Sequence, residues 1–349
     1  MLTRLWKVDK SVDRLITYPQ IVEAARILTE NEVVALPTET VYGLGGNAES
    51  DEAVARIFAA KGRPSDNPLI IHIANLNQLA EIVREIPETA EKLMAAFWPG
   101  PLTIILDKKV GKLSELATAG LSTVAVRMPN HPVALALIEA SGLPIAAPSA
   151  NVSGRPSPTT ARHVQDDLDG RIAGIVDGGP TGVGVESTVV DCTGETPVIL
   201  RPGGVTKEQL ELVVGEVLTD PALTDSKQAP KSPGMKYRHY APNAPLYLVN
   251  GDASDIQKLV DEKRGEGLKV GVMTTEENQH SYQADVIFPC GRRAQLETVA
   301  EALYDTLRAF NESDVDIIFG EIFPETGVGV AIMNRLTKAS GFPIIEVAE

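Results

Sequence analysis

The chain has 349 residues, 43% of them hydrophobic and 23% charged, with a formal net charge of −15. This length exceeds one ordinary domain and predicts two. Lys and Arg number 19 against 24 Asp and Glu in residues 1–207, and 13 against 23 in residues 208–349. Such an acidic balance opposes tight, sequence-independent binding of nucleic acid, which depends on neutralising phosphates with Lys and Arg.

The apolar runs all fall short of the roughly 18 residues that span a bilayer. The first residues, 1–7, lack the apolar core of a signal peptide. We therefore expect no membrane contact and a cytoplasmic location. Cys192 and Cys290 stand outside any CxxC or Cys/His cluster, which argues against a disulfide framework or structural zinc and favours buried structural roles.

Residues 1–207 alternate between helical and strand patterns. Apolar positions at helical spacing predict a helix over 19–31, and a buried strand follows over 33–36. Further helices are predicted over 50–60, 76–86, 88–97, 131–141 and 160–168, with strands over 69–73, 102–106, 122–127, 172–177 and 198–201. Residues 37–46, with two threonines and three glycines, are expected to form a turn-rich loop. This alternation predicts a twisted, mixed α/β sheet.

A polar run over residues 61–68 is the most distinctive local pattern. Lys61, Arg63, Ser65 and Asn67 occupy every second position, and two prolines punctuate the run. In an extended chain this spacing sends all four side chains to one side, where they could converge on an anion. A solvated surface loop is the alternative interpretation.

Other candidate residues lie at predicted strand ends. His72 is interpreted equally as a satisfied core residue or as part of a site. Arg127, just before a proline turn, suits bidentate recognition of a carboxylate or phosphate, with a surface salt bridge as the alternative. Arg201 ends another strand, and Ser149 lies in a loop typical of phosphate or ribose binding. Cations on loops at strand ends favour nucleotidyl or phosphoryl transfer to or from an ATP-like anion, with a second small acidic ligand.

Residues 208–244 read as a linker, because much of the segment lacks periodicity. Its part over residues 232–242 carries two cations, two tyrosines and a histidine, and we expect it to fold over a site as a lid. Residues 245–349 are predicted to form a smaller Rossmann-like α/β domain, with strands over 246–249, 270–273, 286–288 and 315–318 and helices over 254–264, 295–311 and 329–340. No GxGxxG follows its first strand, so no dinucleotide is expected.

A series of motifs resembles the L-threonylcarbamoyladenylate synthase family in its long form, a YrdC-like domain followed by a linker and a second α/β domain. The motifs are PTETVYGLG, AAKGRPSDNPLIIHI, WPGPLTI, VAVRMP, APSANVSGRPSPT, GGPTGVGVESTVVD, ILRPGG and SPGMKYRHYAP. They occur in order and cover about 190 residues of the first domain plus the linker. The C-terminal domain matches only by its position and by the linker before it.

The resemblance implies that L-threonine, bicarbonate and ATP give threonylcarbamoyl-AMP and pyrophosphate. This is the first step toward N6-threonylcarbamoyladenosine at position 37 of tRNA, and a separate tRNA threonylcarbamoyl-transferase complex would receive the product. Mg²⁺ would accompany ATP. By motif, threonine would be held by Thr40, His72, Arg127, Ala147 and Ser187. ATP would be contacted by Arg63, Asn67, Thr123, Ser149, Ser157, Arg201, Tyr237 and His239. Lys61, Arg63, Ser65 and Asn67 would assist catalysis, and no protein ligands for a metal are expected.

Two alternatives remain at this point. A non-catalytic module that binds double-stranded RNA or tRNA is disfavoured by the acidic balance, although weak tRNA contact stays open. Carbamoyl transfer, as in hydrogenase-maturation proteins with a YrdC-like domain, would require additional zinc-finger-like segments. The two cysteines of this chain do not supply them.

Overall fold

A computed structural model of the protein describes residues 2–223 and 239–347. The chain divides into two compact units. The first comprises Met1–Ser153, Pro158–Gly182 and Glu186–Lys236, and the second comprises Gly154–Ser157, Val183–Val185 and Tyr237–Glu349. In the described ranges, the structure contains no helix that is both long enough and apolar enough to cross a membrane.

The first unit is built on an eleven-stranded mixed sheet. Its strands are β1 (Arg4–Lys7), β2 (Val34–Leu36), β3 (Gly43–Asn47), β4 (Ile70–His72), β5 (Leu102–Asp107), β6 (Thr123–Arg127), β7 (Ile145–Ala146), β8 (Gly174–Asp177), β9 (Thr188–Asp191), β10 (Val198–Arg201) and β11 (Leu218–Thr219). They lie in the order β1-β8-β2-β3-β7-β4-β6-β5-β9-β10-β11. The sheet contains both parallel pairs, such as β4 with β6, and antiparallel pairs, such as β5 with β6.

The helices of the first unit are α1 (Pro19–Thr29), α2 (Asp51–Lys61), α3 (Leu76–Ile82), α4 (Glu88–Phe97), α5 (Pro132–Ser141), α6 (Ala161–Leu168) and α7 (Lys207–Val214). Short polar side chains begin several of them, as capping chemistry requires. Ser50 accepts a hydrogen bond from the backbone N–H of Ala53 at α2, and Thr206 forms a capping box with Gln209 at α7.

The second unit contains a five-stranded parallel sheet. Its strands are β12 (Leu246–Asn250), β13 (Val270–Thr274), β14 (Val286–Pro289), β15 (Ile317–Glu321) and β16 (Ile345–Glu346), in the order β14-β13-β15-β12-β16. Helices α8 (Ala253–Gly265), α9 (Leu296–Asn311) and α10 (Gly329–Ser340) connect them. The predicted fold class, a mixed α/β sheet with a smaller Rossmann-like sheet, is confirmed.

The sheet of the first unit packs apolar side chains on both faces. Ile71, Val126 and Ile104 belong to the main core cluster. At the β2 and β7 end, α1 and α5 contribute to a second cluster that includes Ile145 and Ala147. Strand alternation places neighbouring residues of β4, β5 and β6 on opposite faces.

Two local predictions were wrong, and one strand was missed. Residues 43–47 form the buried strand β3 instead of a loop, and its glycines serve packing, since a Cβ on Gly45 would lie 2.8 Å from both Ile145 and Leu36 side chains. The edge strand β1 was not predicted. Within the predicted linker over 208–244, the structure places most of α7 and all of β11, which pairs in parallel with β10.

Candidate active site

A third, smaller apolar cluster marks the face of the sheet opposite the main core. It is made of strand residues alone, namely Ile70, Ile105, Ala125, Val189 and Leu200, with Val198 packed against it. Because side chains alternate along a strand, His72 shares this face with Ile70, and Thr123 and Arg127 share it with Ala125. The site therefore has an apolar floor with polar side chains toward the strand ends.

Arg127 is buried, with a side chain only 4% exposed, at the carboxyl end of β6. Its guanidinium is held by three neighbours. Nε donates to the Gly100 carbonyl at 3.2 Å, Nη1 donates to Thr40 Oγ1 at 2.9 Å, and Nη2 lies 2.6 Å from Glu39 Oε1. The surface salt bridge that the sequence left open is excluded by this burial. Arg127 is instead a preorganised cation inside the protein.

Glu39 was missed by the sequence analysis. Both of its carboxylate oxygens are buried without a hydrogen bond in the described part of the chain, as are both ring nitrogens of His131 and the hydroxyl of Thr181. Burial lowers the pKa of His131 to about 4, partly offset by the Glu39 charge. A carboxylate between two threonines that follow a buried strand was the available signal for this polar group.

His72 ends β4 and stands in register with Arg127 on β6 and with Ile145 on β7. Its ring Nδ1 lies 3.2 Å from the carbonyl oxygen of Ile70. Burial, and then the nearby positive charge of Arg127, lower the pKa of His72 to about 3. The imidazole is therefore neutral at physiological pH and offers hydrogen bonds without adding charge beside Arg127.

Ser187 lies just before β9 and connects three strands at the end of the sheet where Arg127 lies. Its hydroxyl lies 2.7 Å from Thr103 Oγ1, and Arg201 donates to its carbonyl through Nε at 3.1 Å and Nη2 at 2.9 Å. Gly203 allows the chain after β10 to approach closely, since a Cβ there would lie 2.3 Å from the Glu186 carbonyl oxygen. Arg201 and Ser187 thus form one buried unit.

The polar run over residues 61–68 does not have the extended geometry that its alternation predicts. Lys61 is the last residue of α2, and Gly62 adopts a left-handed conformation with φ 60° as the helix C-cap. A series of bends follows at 65–67, where Ser65 is exposed while Asn67 is buried. The four side chains are therefore not aligned by strand alternation, because a helix end and a turn occupy the run.

Lys61 nevertheless reaches another predicted site loop. Its ammonium is buried and donates to the carbonyl oxygens of Ser149 and Asn151, the latter at 2.6 Å. The backbone N–H of Ser153 donates to the Lys61 carbonyl at 2.9 Å. Lys61 thus fixes the loop over 149–153, and its predicted action on substrate phosphates stays a prediction.

The remaining predicted residues are distributed as follows. Thr123 begins β6, four residues before Arg127 and so about 13 Å away along the strand. Ala147 follows β7 and donates its backbone N–H to the Ile70 carbonyl at 2.9 Å, and Arg63 is half-buried after α2. Ser157 and His239 belong to the second unit. Tyr237 lies outside the described residues.

This arrangement is suited to a long polar ligand. Arg127, His72 and Thr40 gather at one end of β4 and β6 and suit a small carboxylate. Thr123 and the loop held by Lys61 lie toward the other end. Buried cations and hydroxyl groups meet at this face of the sheet, and such a geometry favours chemistry by positioning and charge neutralisation.

Comparison with known proteins agrees with the motifs. A family model described as "Telomere recombination", for Sua5, YciO and YrdC proteins, matches residues 26–203, and one described as "Threonylcarbamoyl-AMP synthase, C-terminal domain" matches residues 205–341. The threonylcarbamoyl-AMP synthase of Bacillus subtilis (strain 168) is 60% identical, covering 99% of this chain and 100% of that protein.

Archaeal relatives extend the likeness to structure. The threonylcarbamoyl-AMP synthase of Pyrococcus abyssi is 51% identical over 93% of this chain and 95% of that protein. The crystal structure of P. abyssi Sua5 complexed with L-threonine superposes with a TM-score of 0.92, at 49% identity, covering 99% of this chain and all of that one. The resemblance inferred from the motifs is confirmed, and this chain belongs to the Sua5/YciO/YrdC family in its long form, with the threonylcarbamoyl-AMP synthase C-terminal domain.

Proposed function

We propose that the chain synthesises threonylcarbamoyl-AMP from L-threonine, bicarbonate and ATP, with release of pyrophosphate. The observation that carries the proposal is the buried Arg127, which is held by Thr40, Gly100 and Glu39 beside the neutral His72. A guanidinium that is already oriented in this way suits the carboxylate of an amino acid. L-threonine is also the ligand of the P. abyssi Sua5 crystal structure.

The threonine would lie with its carboxylate on Arg127, within reach of Thr40, His72 and Ser187. A neutral His72 suits this role. A protonated His72 would be a second cation, which burial and repulsion from Arg127 both destabilise. Ala147 would contribute from the end of β7. Glu39 is the present counter-ion of Arg127, and we expect the substrate carboxylate to share or take over that ion pair.

The ATP would extend along the sheet face toward Thr123 and the loop that Lys61 fixes. Arg63, Asn67, Ser149, Ser157 and Arg201 are the proposed contacts, together with Tyr237 and His239 from the proposed lid. Mg²⁺ would enter as part of the MgATP substrate. Nucleotide-bound Mg²⁺ is held mainly by phosphate oxygens and water with one or two carboxylates, so a cage built by the protein is not required.

The chemistry balances without a covalent enzyme intermediate. The threonine ammonium first loses a proton, and the resulting amine attacks the carbon of bicarbonate, so that a carbamate forms with loss of water. A carbamate oxygen then attacks the α-phosphorus, the bond from that phosphorus to the bridging oxygen breaks, and pyrophosphate leaves. Lys61, Arg63, Ser65 and Asn67 are proposed to stabilise the charge that develops on the phosphates.

In the cell we propose a cytoplasmic role as the first step of N6-threonylcarbamoyladenosine formation at position 37 of tRNA, with the product passed to a separate transferase complex. The direct test is incubation of the purified chain with labelled bicarbonate, L-threonine and MgATP. We expect label in an adenylate that requires both threonine and ATP. Absence of that product would contradict the proposal and favour a non-catalytic RNA-binding role.

A further inference from the structure

A cavity of about 690 Å³ opens at the carboxyl ends of the strands in the second unit. It is lined by the last residue of β12 and the segment after it, Asn250 to Ser254, and by the last residue of β15 and the segment after it, Glu321 to Pro324. Asn278, Tyr282 and Arg293 complete the lining. Its volume lies in the range of about 300–1,000 Å³ that is common for small-molecule sites. Nothing in the proposed synthase reaction uses this cavity.

The topology of the sheet explains why the cavity lies there. β12 and β15 are parallel neighbours. The chain leaving β12 crosses past β15 to reach β13, whereas the chain leaving β15 crosses past β12 to reach β16. Because both crossovers are expected to be right-handed, their helices, α8 and α10, lie on opposite faces and a crevice opens between the two strand ends. Open α/β sheets bind ligands at this topological switch point.

Glu321 organises the wall of the cavity. The residue is 4% exposed, and its Oε1 accepts hydrogen bonds from Thr274 Oγ1 at 2.5 Å, Tyr282 OH at 2.9 Å and Asn278 Nδ2 at 3.1 Å. Its Oε2 accepts from Arg293 Nη2 at 2.7 Å. Burial raises the pKa of Glu321, but these hydrogen bonds together lower it below the ordinary value. Both oxygens of the ionised carboxylate therefore accept hydrogen bonds, and they hold the side chains that line the cavity in place.

Arg293 is held in place yet keeps part of its hydrogen-bonding capacity. Nη2 is occupied by Glu321 and by the Ile322 carbonyl at 2.9 Å, and the guanidinium lies over the Phe323 ring at 5.1 Å. Within residues 2–223 and 239–347, its Nε and Nη1 have no hydrogen-bond partner. With a side chain 39% exposed, Arg293 offers two fixed donors to a planar oxyanion.

Three acceptors face the same cavity from other positions. Asp252 caps α8 through Oδ1, which accepts from the backbone N–H groups of Ser254 and Asp255, whereas its Oδ2 has no partner among the described atoms. The amides of Asn250 and Asn278 donate through Nδ2 to Glu346 and Glu321. The side-chain Oδ1 atoms of both asparagines accept no hydrogen bond in the part of the chain that is described. An ammonium group has three donors to match three such acceptors.

We infer that this cavity is a binding site for a zwitterionic amino acid, with its carboxylate on Arg293 and its ammonium on Asp252, Asn250 and Asn278. A phosphate ester is disfavoured, because it would place two negative charges close to the carboxylate of Asp252. The positive charge of Arg293 is already partly neutralised by its ion pair with Glu321. The inference does not depend on the synthase reaction, because its residues all belong to the second unit.

Isothermal titration of the full-length chain with each L-amino acid, without ATP, tests the inference. An Arg127→Lys background weakens the proposed threonine site of the first unit, so that the remaining binding reports on the second. We expect at least one amino acid to bind, and we expect its amide and its deaminated analogue to bind at least 10-fold more weakly.

Matched variants locate the binding. Arg293→Lys keeps a cation for Glu321 but removes the planar fork, and Asp252→Asn keeps a helix-capping side chain but removes the charge. Each should weaken binding at least 10-fold, whereas Arg292→Lys, next in sequence and paired with Glu276 at 3.7 Å, should not. Absence of amino-acid binding, equal affinity in Arg293→Lys, or Arg293-dependent binding of AMP in place of amino acids would each overturn the inference.

Discussion

At the scale of single residues, the strongest prediction concerns Arg127. Its three nitrogens are each directed by a different neighbour, and a lysine cannot reproduce that planar arrangement. We expect Arg127→Lys to raise KM for L-threonine about 10- to 100-fold, since loss of a charge-assisted bidentate contact costs about 1.4–3 kcal/mol. Initial-rate assays with varied threonine measure this. Arg26→Lys, exposed on α1, is the control, and an unchanged KM would contradict the assignment.

Arg63 tests the nucleotide side of the proposal. The residue is half-buried just after α2, and its backbone N–H donates to the Phe58 carbonyl at 3.1 Å. Arg63→Ala should therefore preserve the helix end while removing charge from the proposed phosphate site, with pyrophosphate release reduced at least 10-fold. A thermal melt like that of the wild type shows that the variant is folded. Wild-type turnover in a folded variant would refute the role of Arg63.

His72 and His131 predict how stability depends on pH. Their folded pKa values, about 3 and about 4, lie below the ordinary 6.5 because both rings are buried. The unfolded chain therefore binds these protons first as the pH falls, so the contribution is present above pH 6.5 and is lost below it. The expected slope is about 1.4 kcal/mol per pH unit for each histidine.

Urea unfolding at pH 7 and pH 5 checks this slope for His131, which faces Glu39 and Lys10. His131→Leu removes one titrating ring that has no hydrogen-bond partner among the described residues. The variant should lose less stability than the wild type between pH 7 and pH 5. An identical loss in both proteins would show that His131 does not carry the pH dependence.

At the scale of elements, the turn after β10 yields a sharp stability prediction. A Cβ on Gly203 would meet backbone atoms of Glu186, Ser187 and Thr188 at 2.3–2.4 Å, and backbone cannot move aside cheaply. Gly203→Ala should cost at least about 1–3 kcal/mol and also lower activity, since the displaced turn holds Arg201 against Ser187. Gly194→Ala, whose Cβ would meet its nearest atom at 3.9 Å, is the control. Equal melting temperatures would contradict this packing argument.

Elements with strong periodicity were predictable from the sequence, and irregular ones were not. The helices α4 and α10 begin and end where apolar spacing places them, because a complete amphipathic face specifies both period and length. β3 escaped prediction because its glycines resemble a loop, although neighbouring side chains require them. The short strand β11 has no pattern of its own, since its pairing with β10 comes from tertiary structure.

The same contrast holds for the site. Arg127, His72 and Arg201 could be found because each ends an apolar strand. The arrangement of Lys61 could not, because an alternating polar run has the same composition whether the backbone is extended or begins with a helix cap. The position of Glu39 after a buried strand marked it as a polar candidate, but its pairing with Arg127 could not be predicted, since only the pairing of strands brings the segment after β2 to Arg127.

At the scale of the whole molecule, both sheets gather polar side chains at the ends of their strands. In the first unit the polar residues stand over a small apolar cluster of the mixed sheet, and in the second a cavity opens where parallel strands diverge. In both, a buried or anchored arginine is paired with a glutamate that fixes its orientation. Preorganised guanidinium groups suit small carboxylates better than flexible surface cations do.

The overall charge yields the last prediction. The chain has 32 Lys and Arg against 47 Asp and Glu, and Lys61, Arg127 and Arg201 are buried and hydrogen-bonded, so the excess of negative charge opposes binding of an RNA backbone. A protein that makes six to ten phosphate contacts loses about 10³- to 10⁵-fold in affinity between 50 and 200 mM salt. We expect unmodified tRNA to bind weakly at 50 mM salt and with a shallow salt slope. Filter binding across that salt range measures it, and a slope that corresponds to six or more phosphates would favour an RNA-binding role instead.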